Sequence, residues 1–327
     1  MSRVSNALTG HFIMEALCAL HETGILEYLE EKNAGVSLEG ISSDLGLDQI
    51  IVEGLMDFLV VNVPEFFDKK DGLYTIKSQF YESSVQNSIY FALAYEDVLN
   101  NLPALLSKTK KYGVEVARNG KYLSKSSTLH NHHAWPAITD FIKEYNFETV
   151  VDLGCGAGDF LKHVAKTLPA VQLIGVEQST EAAGITKDDK DQSIKFINGD
   201  VGTPEVWAKD LSINSIEKTL FVSVTVWHEF LWSGEAELQK VFSKYHNQYK
   251  GATLLLVEKN GYSLSSLKVL PDSLKDVTSV YQMIHPITNQ GMPQSPAIWR
   301  SLIELSAVSL QTVLPTQPDM SMYVCKL

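Results

Sequence analysis

The chain has 327 residues, 45% of them hydrophobic and 20% charged, with a formal net charge of −12. That is the composition of an ordinary globular protein long enough for two domains, and its charge disfavours nucleic acid as a partner unless a local basic face overcomes it. No apolar run reaches membrane-span length, the N-terminus lacks a secretory pattern, and Cys18, Cys155 and Cys325 are too few and scattered for a disulfide framework or a CxxC metal knot, so a cytoplasmic protein without a membrane partner is expected.

Residues 5–31 carry apolar side chains at helical spacing: Phe12, Ile13, Leu17 and Leu20, then Ile25, Leu26 and Leu29. The stretch 37–62 reads as a helix, a turn around Gly46 and a second helix that Asp48 can N-cap. Asp71-Gly72 between two short β-prone runs signals a hairpin. Together these make a winged-helix pattern over residues 1–80. A DNA-reading role would use the helix after Asp48, but that segment has no Lys or Arg and carries Asp48, Glu53 and Asp57, a surface that repels phosphate. A structural or dimerising role is expected instead.

Residues 81–140 read as a helical bridge, interrupted near Pro103 and restarting near Trp135, with 113–128 expected to be an exposed loop. Lys108 to Lys125 holds six basic residues against one acid, Glu115. It reads as a solvated linker or, more sharply, as an attractor for an anionic substrate.

From residue 148 short β-rich runs alternate with helical segments, the pattern of a doubly wound α/β domain with a parallel sheet, over 141–327. "VVDLGCGAGDF" (Val150 to Phe160) is a strand entering a glycine turn and then a helix. A dinucleotide fingerprint needs a third glycine at 159, where this chain has Asp159, an acid that would repel a pyrophosphate. Asp152 with Gly154, Gly156 and Gly158 suits a cofactor without phosphates, one with a zwitterionic methionine arm. Glu177 ends the second strand, 23 residues after Gly154, where a carboxylate grips ribose hydroxyls. Asp200, followed by Val201, ends the third, placed to meet an adenine amino group.

These motifs resemble those of the class I S-adenosylmethionine (SAM) methyltransferases. The resemblance implies a Rossmann-like, seven-stranded SAM domain with the cofactor on Asp152, Gly154, Gly156, Gly158, Glu177, Asp200 and Val201. Over the whole chain it extends to the small-molecule O-methyltransferases, with an N-terminal winged-helix-like dimerisation domain, a helical bridge, a homodimer and a last antiparallel strand at "MSMYVCKL".

His228, in "VTVWHEFLW", admits three roles: core histidine, general base or metal ligand. It matches the catalytic base of plant-type O-methyltransferases, with Glu229 in place of Asp and Trp232 displaced. His285, in "SVYQMIHPITNQGMP", adds a second histidine in the segment that caps the pocket. The pair is more similar to the layout of the α-keto acid C-methyltransferases. That resemblance implies an Fe or Zn ion on His228 and His285, acting as a Lewis acid that stabilises an enolate. Glu258 is expected in the same cleft as a base, a supporting partner or a third ligand. Tyr281, Met283, His133 and Trp135 are expected to wall the substrate pocket, with His130, His132 and Trp299 as weaker candidates.

The expected function is metal-assisted C-methylation at the β-carbon of an α-keto acid. The alternatives are metal-free O-methylation of a small hydroxylated metabolite with His228 as base, and an interaction protein that has lost its chemistry.

Overall fold

The computed structural model describes residues 3–82, 84–179, 193–317 and 319–327. Its internal contacts group the chain into two units, Met1–Glu96 and Asp97–Leu327. Residues 97–140 thus group with the larger unit.

In the first unit, α1 (Arg3–Glu22) and α2 (Ile25–Lys32) precede the helical pair α3 (Leu38–Leu45) and α4 (Gln49–Asn62). Gly46 turns the chain between the pair at φ 67°. Asp48 caps α4 as expected, its Oδ1 accepting from the amides of Ile50 and Ile51 at 2.9 and 3.1 Å. Leu17, Leu20, Leu26, Leu29, Ile41, Val52, Met56 and Leu59 are buried, whereas Phe12, on the same apolar spacing in α1, is exposed. The strands β1 (Val36–Ser37), β2 (Phe67–Lys70) and β3 (Leu73–Ile76) pair in the order β1-β3-β2. Asp71 and Gly72 sit at φ 52° and 79°, so the β2–β3 connection has the doubly left-handed turn that an Asp-Gly hairpin requires. A short helix, α5 (Gln79–Glu82), follows, and α6 (Val85–Asn100) carries the boundary between the units.

The second unit continues with α7 (Leu102–Leu106), α8 (Gly120–Asn131) and α9 (Trp135–Glu144). It is built on a seven-stranded sheet. Its strands are β4 (Thr149–Leu153), β5 (Gln172–Glu177), β6 (Ile194–Asn198), β7 (Thr219–Val224), β8 (Thr253–Lys259), β9 (Ser309–Gln317) and β10 (Met320–Lys326). They lie in the order β6-β5-β4-β7-β8-β10-β9. The first five are parallel, and β10 runs antiparallel to both β8 and β9. Every residue of β4 and β8 is buried, Asp152 and Glu258 included, as befits central strands covered on both faces. One face packs Val151, Ile174, Phe221, Leu254 and Leu256 under Trp227, Phe242 and Tyr245. The other packs Val150, Leu173, Leu220 and Leu255 under Ile138, Phe141, Leu161 and Val164. Each such side chain contributes about 1.5–3 kcal/mol on burial.

Strand order reverses between β4 and β7, so the loops leaving their carboxyl ends diverge and leave a crevice at that point. Among the described residues no helix is long and apolar enough to cross a membrane.

Candidate active site

A cavity of about 580 Å³ opens at that crevice, within the range of sites for small molecules. Asp152, Gly154, Gly156, Glu177, Asp200 and Val201 all line it. Gly154, Gly156 and Gly158 have φ of 75°, 54° and 73°, a conformation open to glycine at little cost. At Gly158 a side chain would also strike the Phe196 ring, 2.6 Å from the added carbon. Gly158 then leads into α10 (Asp159–Thr167).

The three acids differ in setting. Glu177 accepts from the Gly156 amide at 3.1 Å and the Ser179 amide at 2.7 Å, so the carboxylate ties the tip of β5 to the glycine loop. Asp200 accepts from the Gly202 amide at 2.8 Å. Asp152 is buried at the end of β4, and burial, reinforced by the Glu177 charge, pushes its carboxyl up to about 7.

The third wall corrects the expectation of an exposed loop over 113–128. Residues 120–131 are the helix α8, started by Asn119, whose Oδ1 accepts from the Lys121 and Tyr122 amides at 3.1 and 3.3 Å. Ser124, Ser127, Thr128 and Asn131 recur at helical spacing and all line the cavity. Ser124 accepts from the Ala157 amide at 3.3 Å, and Thr128 donates to Asp159 at 3.0 Å, fastening α8 to the glycine loop. Arg118, from the basic run, also lines the cavity, its Nη2 3.8 Å from Glu229 Oε1.

Past β7 the chain turns through Thr225 at φ 58°, a rare conformation for a β-branched residue. Such strain costs on the order of 1–3 kcal/mol and persists where surrounding contacts enforce it. Here the Thr225 amide donates to Val257 at 2.8 Å, and its hydroxyl donates to the Val224 carbonyl at 2.7 Å. The turn delivers Val226, Glu229, Phe230 and Trp232 to the cavity. Gln290 closes this side by donating to Glu229 Oε1 at 2.6 Å. Gly291 comes so close that an added Cβ would lie 1.9 Å from the His228 carbonyl oxygen.

His228 lies in the short 3₁₀ helix Trp227–Ser233, and His285 near the end of α14 (Asp272–Ile287), which follows α11 (Pro204–Trp207), α12 (Glu235–Gln248) and α13 (Leu264–Val269). Both histidines are 1% exposed, and their Nε2 atoms are 3.1 Å apart. His228 Nδ1 is 2.8 Å from Glu258 Oε2, and His285 Nδ1 is 2.5 Å from the Tyr281 carbonyl oxygen. Both of those oxygens accept, so both Nδ1 atoms donate. The two Nε2 lone pairs then face one another, and a cation must lie between them. Burial pulls His228 down, but the Glu258 carboxylate outweighs it and the net direction is up. Burial, then the His228 charge, push His285 down to about 3. One proton on His228, shared with a neutral His285, meets the requirement, and so does a metal ion bound by both.

Glu258 is corrected by the geometry. It does not face the cleft: it is 1% exposed behind His228, accepting from the amides of Val226 at 3.1 Å and Trp227 at 2.7 Å. From the Nδ1 side it orients the imidazole and cannot join a metal at Nε2. Among the described residues no group of three or more His, Cys, Asp and Glu side chains is arranged to hold a metal ion.

Of the expected pocket wall, only Trp135 lines the cavity. His133 and Met283 are exposed, because their helical positions turn them to the outer surface. The Tyr281 ring packs tilted against the His285 ring, centroids 4.1 Å apart, with Lys259 Nζ 4.9 Å from the Tyr281 centroid. His132 is exposed, His130 is half-buried and pushed down to about 4 by burial, and Trp299 is core. Ser124, Thr128, Asn131, Thr225 and Gln290 escaped the sequence reading. The signal that could have found the first three is the Asn119-Gly120 helix start.

Residues 144–285 match the family model of the AprA MT2-like domain, Methyltransf_36. No curated protein matches the sequence. Among solved structures, human N-acetylserotonin methyltransferase in complex with SAM superposes with a TM-score of 0.74 at 14% identity, over 100% of this chain and 98% of that one. PigF with S-adenosylhomocysteine (SAH) gives 0.71 at 15%, over 100% of both chains. Mitomycin 7-O-methyltransferase MmcR gives 0.66 at 14%, over 99% and 96%. The chain therefore has the class I, Rossmann-like methyltransferase fold with the N-terminal helical region of its O-methyltransferase neighbours.

Proposed function

We propose that the protein is a SAM-dependent methyltransferase acting on a small molecule. One observation carries this reading: the glycine loop and the acids ending β4, β5 and the turn after β6 converge on a single cavity at the switch point of the sheet. Two of its neighbours are solved with SAM or SAH. In methyl transfer a nucleophile attacks the sulfonium methyl and the sulfur leaves as a neutral thioether. The protein contributes alignment of the two partners and exclusion of water. Binding of SAH by calorimetry tests the cofactor, and wild type that binds none sinks the reading.

The finer reading is C-methylation at the β-carbon of an α-keto acid. Two facing Nε2 atoms, each ring held from its Nδ1 side, fit a cation such as Fe or Zn on His228 and His285. When bound there, such an ion would supply Lewis acidity to an enolising ketone. Glu258 and the Tyr281 carbonyl hold the rings, while Arg118 offers the cavity a positive group for a carboxylate. The Glu258–His228 pair also favours a second reading, metal-free O-methylation with His228 as base. In that case His228 Nε2 must leave His285 to reach a substrate hydroxyl. Metal analysis of untagged protein, with chelator and turnover assays, separates the two. Full turnover without Fe or Zn overturns the C-methylation reading. SAH affinity without turnover on a broad acceptor panel would instead indicate an interaction protein. We propose a homodimer through the first unit, where α1 exposes Leu8 and Phe12; light scattering reads its mass.

A further inference from the structure

His228 and His285 stand on different elements, yet the end of one strand holds both. Glu258, the next-to-last residue of β8, takes His228 from its Nδ1 side. Lys259, the last, is buried with its Nζ 3.0 Å from Asp319 Oδ2 and 4.9 Å from the Tyr281 centroid. The chain beyond is fixed in turn. The Asn260 amide donates to the Asp319 carbonyl at 2.7 Å, and the Ser321 hydroxyl donates to Asn260 Oδ1 at 3.0 Å. The Gly261 amide donates to the Gln294 carbonyl at 2.8 Å, and an added Cβ there would lie 1.9 Å from the Pro293 oxygen, so only glycine fits.

A single side chain fastens α14 to this frame. Gln282 Oε1 accepts from the Tyr262 amide at 3.1 Å, and Gln282 Nε2 donates to the Tyr262 carbonyl at 3.0 Å. One side-chain amide takes both backbone groups of one residue, the exchange that a paired strand would make. Tyr281, the residue before it, holds His285 Nδ1 through its carbonyl. His285 lies less than one helical turn beyond Gln282, so seating 281 and 282 seats the imidazole as well. Gln282 does not line the cavity, so the clamp acts on the site through the helix.

Resting on the reading that the histidine pair is the reactive centre, we propose that Gln282 is a positioning residue. By clamping α14 onto Tyr262 it holds His285 Nε2 opposite His228 Nε2, and the end of β8 thereby sets the separation of the two rings. The probe is Zn²⁺, titrated by calorimetry into untagged protein, with His285→Ala defining the binding that belongs to the pair. Gln282→Met keeps the length of the side chain and removes both hydrogen bonds. Its Zn²⁺ affinity should fall about tenfold or more, as when a group that orients a metal ligand is lost. Its SAH affinity should stay within about twofold of wild type, since the glycine loop shares no partner with the clamp. Gln282→Glu keeps the acceptor for the Tyr262 amide, should lose less, and serves if the Met variant does not fold. Met283→Ala, on the exposed side of the same turn, should change nothing. Unchanged Zn²⁺ affinity in the Gln282 variant overturns the assignment, as does an equal loss for Zn²⁺ and SAH. Wild type that binds no Zn²⁺ overturns the metal reading, and labelling with diethyl pyrocarbonate then decides the assignment without a metal. His285, 1% exposed, should resist the reagent in wild type. Mapped by mass spectrometry well below the melting point, it should react at least about fivefold faster in the Gln282 variant. Equal rates overturn the assignment.

Discussion

The two halves of the site are built in different ways. The half on β4, β5 and β6 is made of loops that leave adjacent strands, and two of its carboxylates, Glu177 and Asp200, are held by amides two residues on or across one strand. The half on β7 and β8 joins side chains far apart in sequence: His228 to Glu258 across 30 positions and to His285 across 57. The first is built on glycines and on carboxylates that bind nearby backbone amides. The second is a relay of buried polar groups in which each member leaves another unsatisfied when removed.

That contrast can be broken by experiment. The largest effect is expected at His228→Ala, which strands the buried Glu258 carboxylate. Removing one member of a buried charged pair costs about 3–5 kcal/mol, so the variant should melt many degrees lower, read by calorimetry, and lose turnover. A His228→Ala protein of wild-type stability would show that Glu258 is not held as described.

Gly158→Val attacks the other half. It forces a β-branched residue to φ 73° and into Phe196, and SAH affinity should fall at least about tenfold. Unchanged affinity would mean that the loop does not carry the cofactor.

The pH response should also separate the halves. The folded value of Asp152, about 7, lies above its ordinary value of 3.8, so the folded state keeps a proton that the unfolded chain has lost. Its contribution to stability therefore declines as pH rises from about 4 to 7. The ammonium group of a zwitterionic ligand favours the ionised form, so SAH affinity should rise about tenfold from pH 6 to 8, and Asp152→Asn should flatten that rise. The smallest effect lies outside both halves. Asp48→Ala removes the α4 cap, at a cost of about 1 kcal/mol in denaturant unfolding with SAH binding unchanged.

The difference between the halves also explains what could be read from sequence. Asp152, Gly154, Gly156, Glu177 and Asp200 are legible as a group because local spacing puts them at strand ends, where they line one cavity. His228 and His285 were paired only through a resemblance, since nothing in a spacing of 57 residues brings two rings together. Glu258 was assigned to the cleft because it ends a strand there, but alternation along β8 turns it behind His228. Helix α8 was read as loop because its contact face is serine, threonine and asparagine, and apolar periodicity is blind to a helix that packs by hydrogen bonds. Met283 was misplaced for the opposite reason: a large apolar side chain on a helix suggests a wall, yet it is 48% exposed.

Thr225 has a consequence for anyone who would engineer this chain. Replacement by glycine relieves the left-handed backbone, and a screen for heat tolerance would select it. The gain would come with the loss of the hydroxyl to which Asn131 donates. A hardier protein with an altered cavity wall would emerge, and a melting curve alone would score it as an improvement.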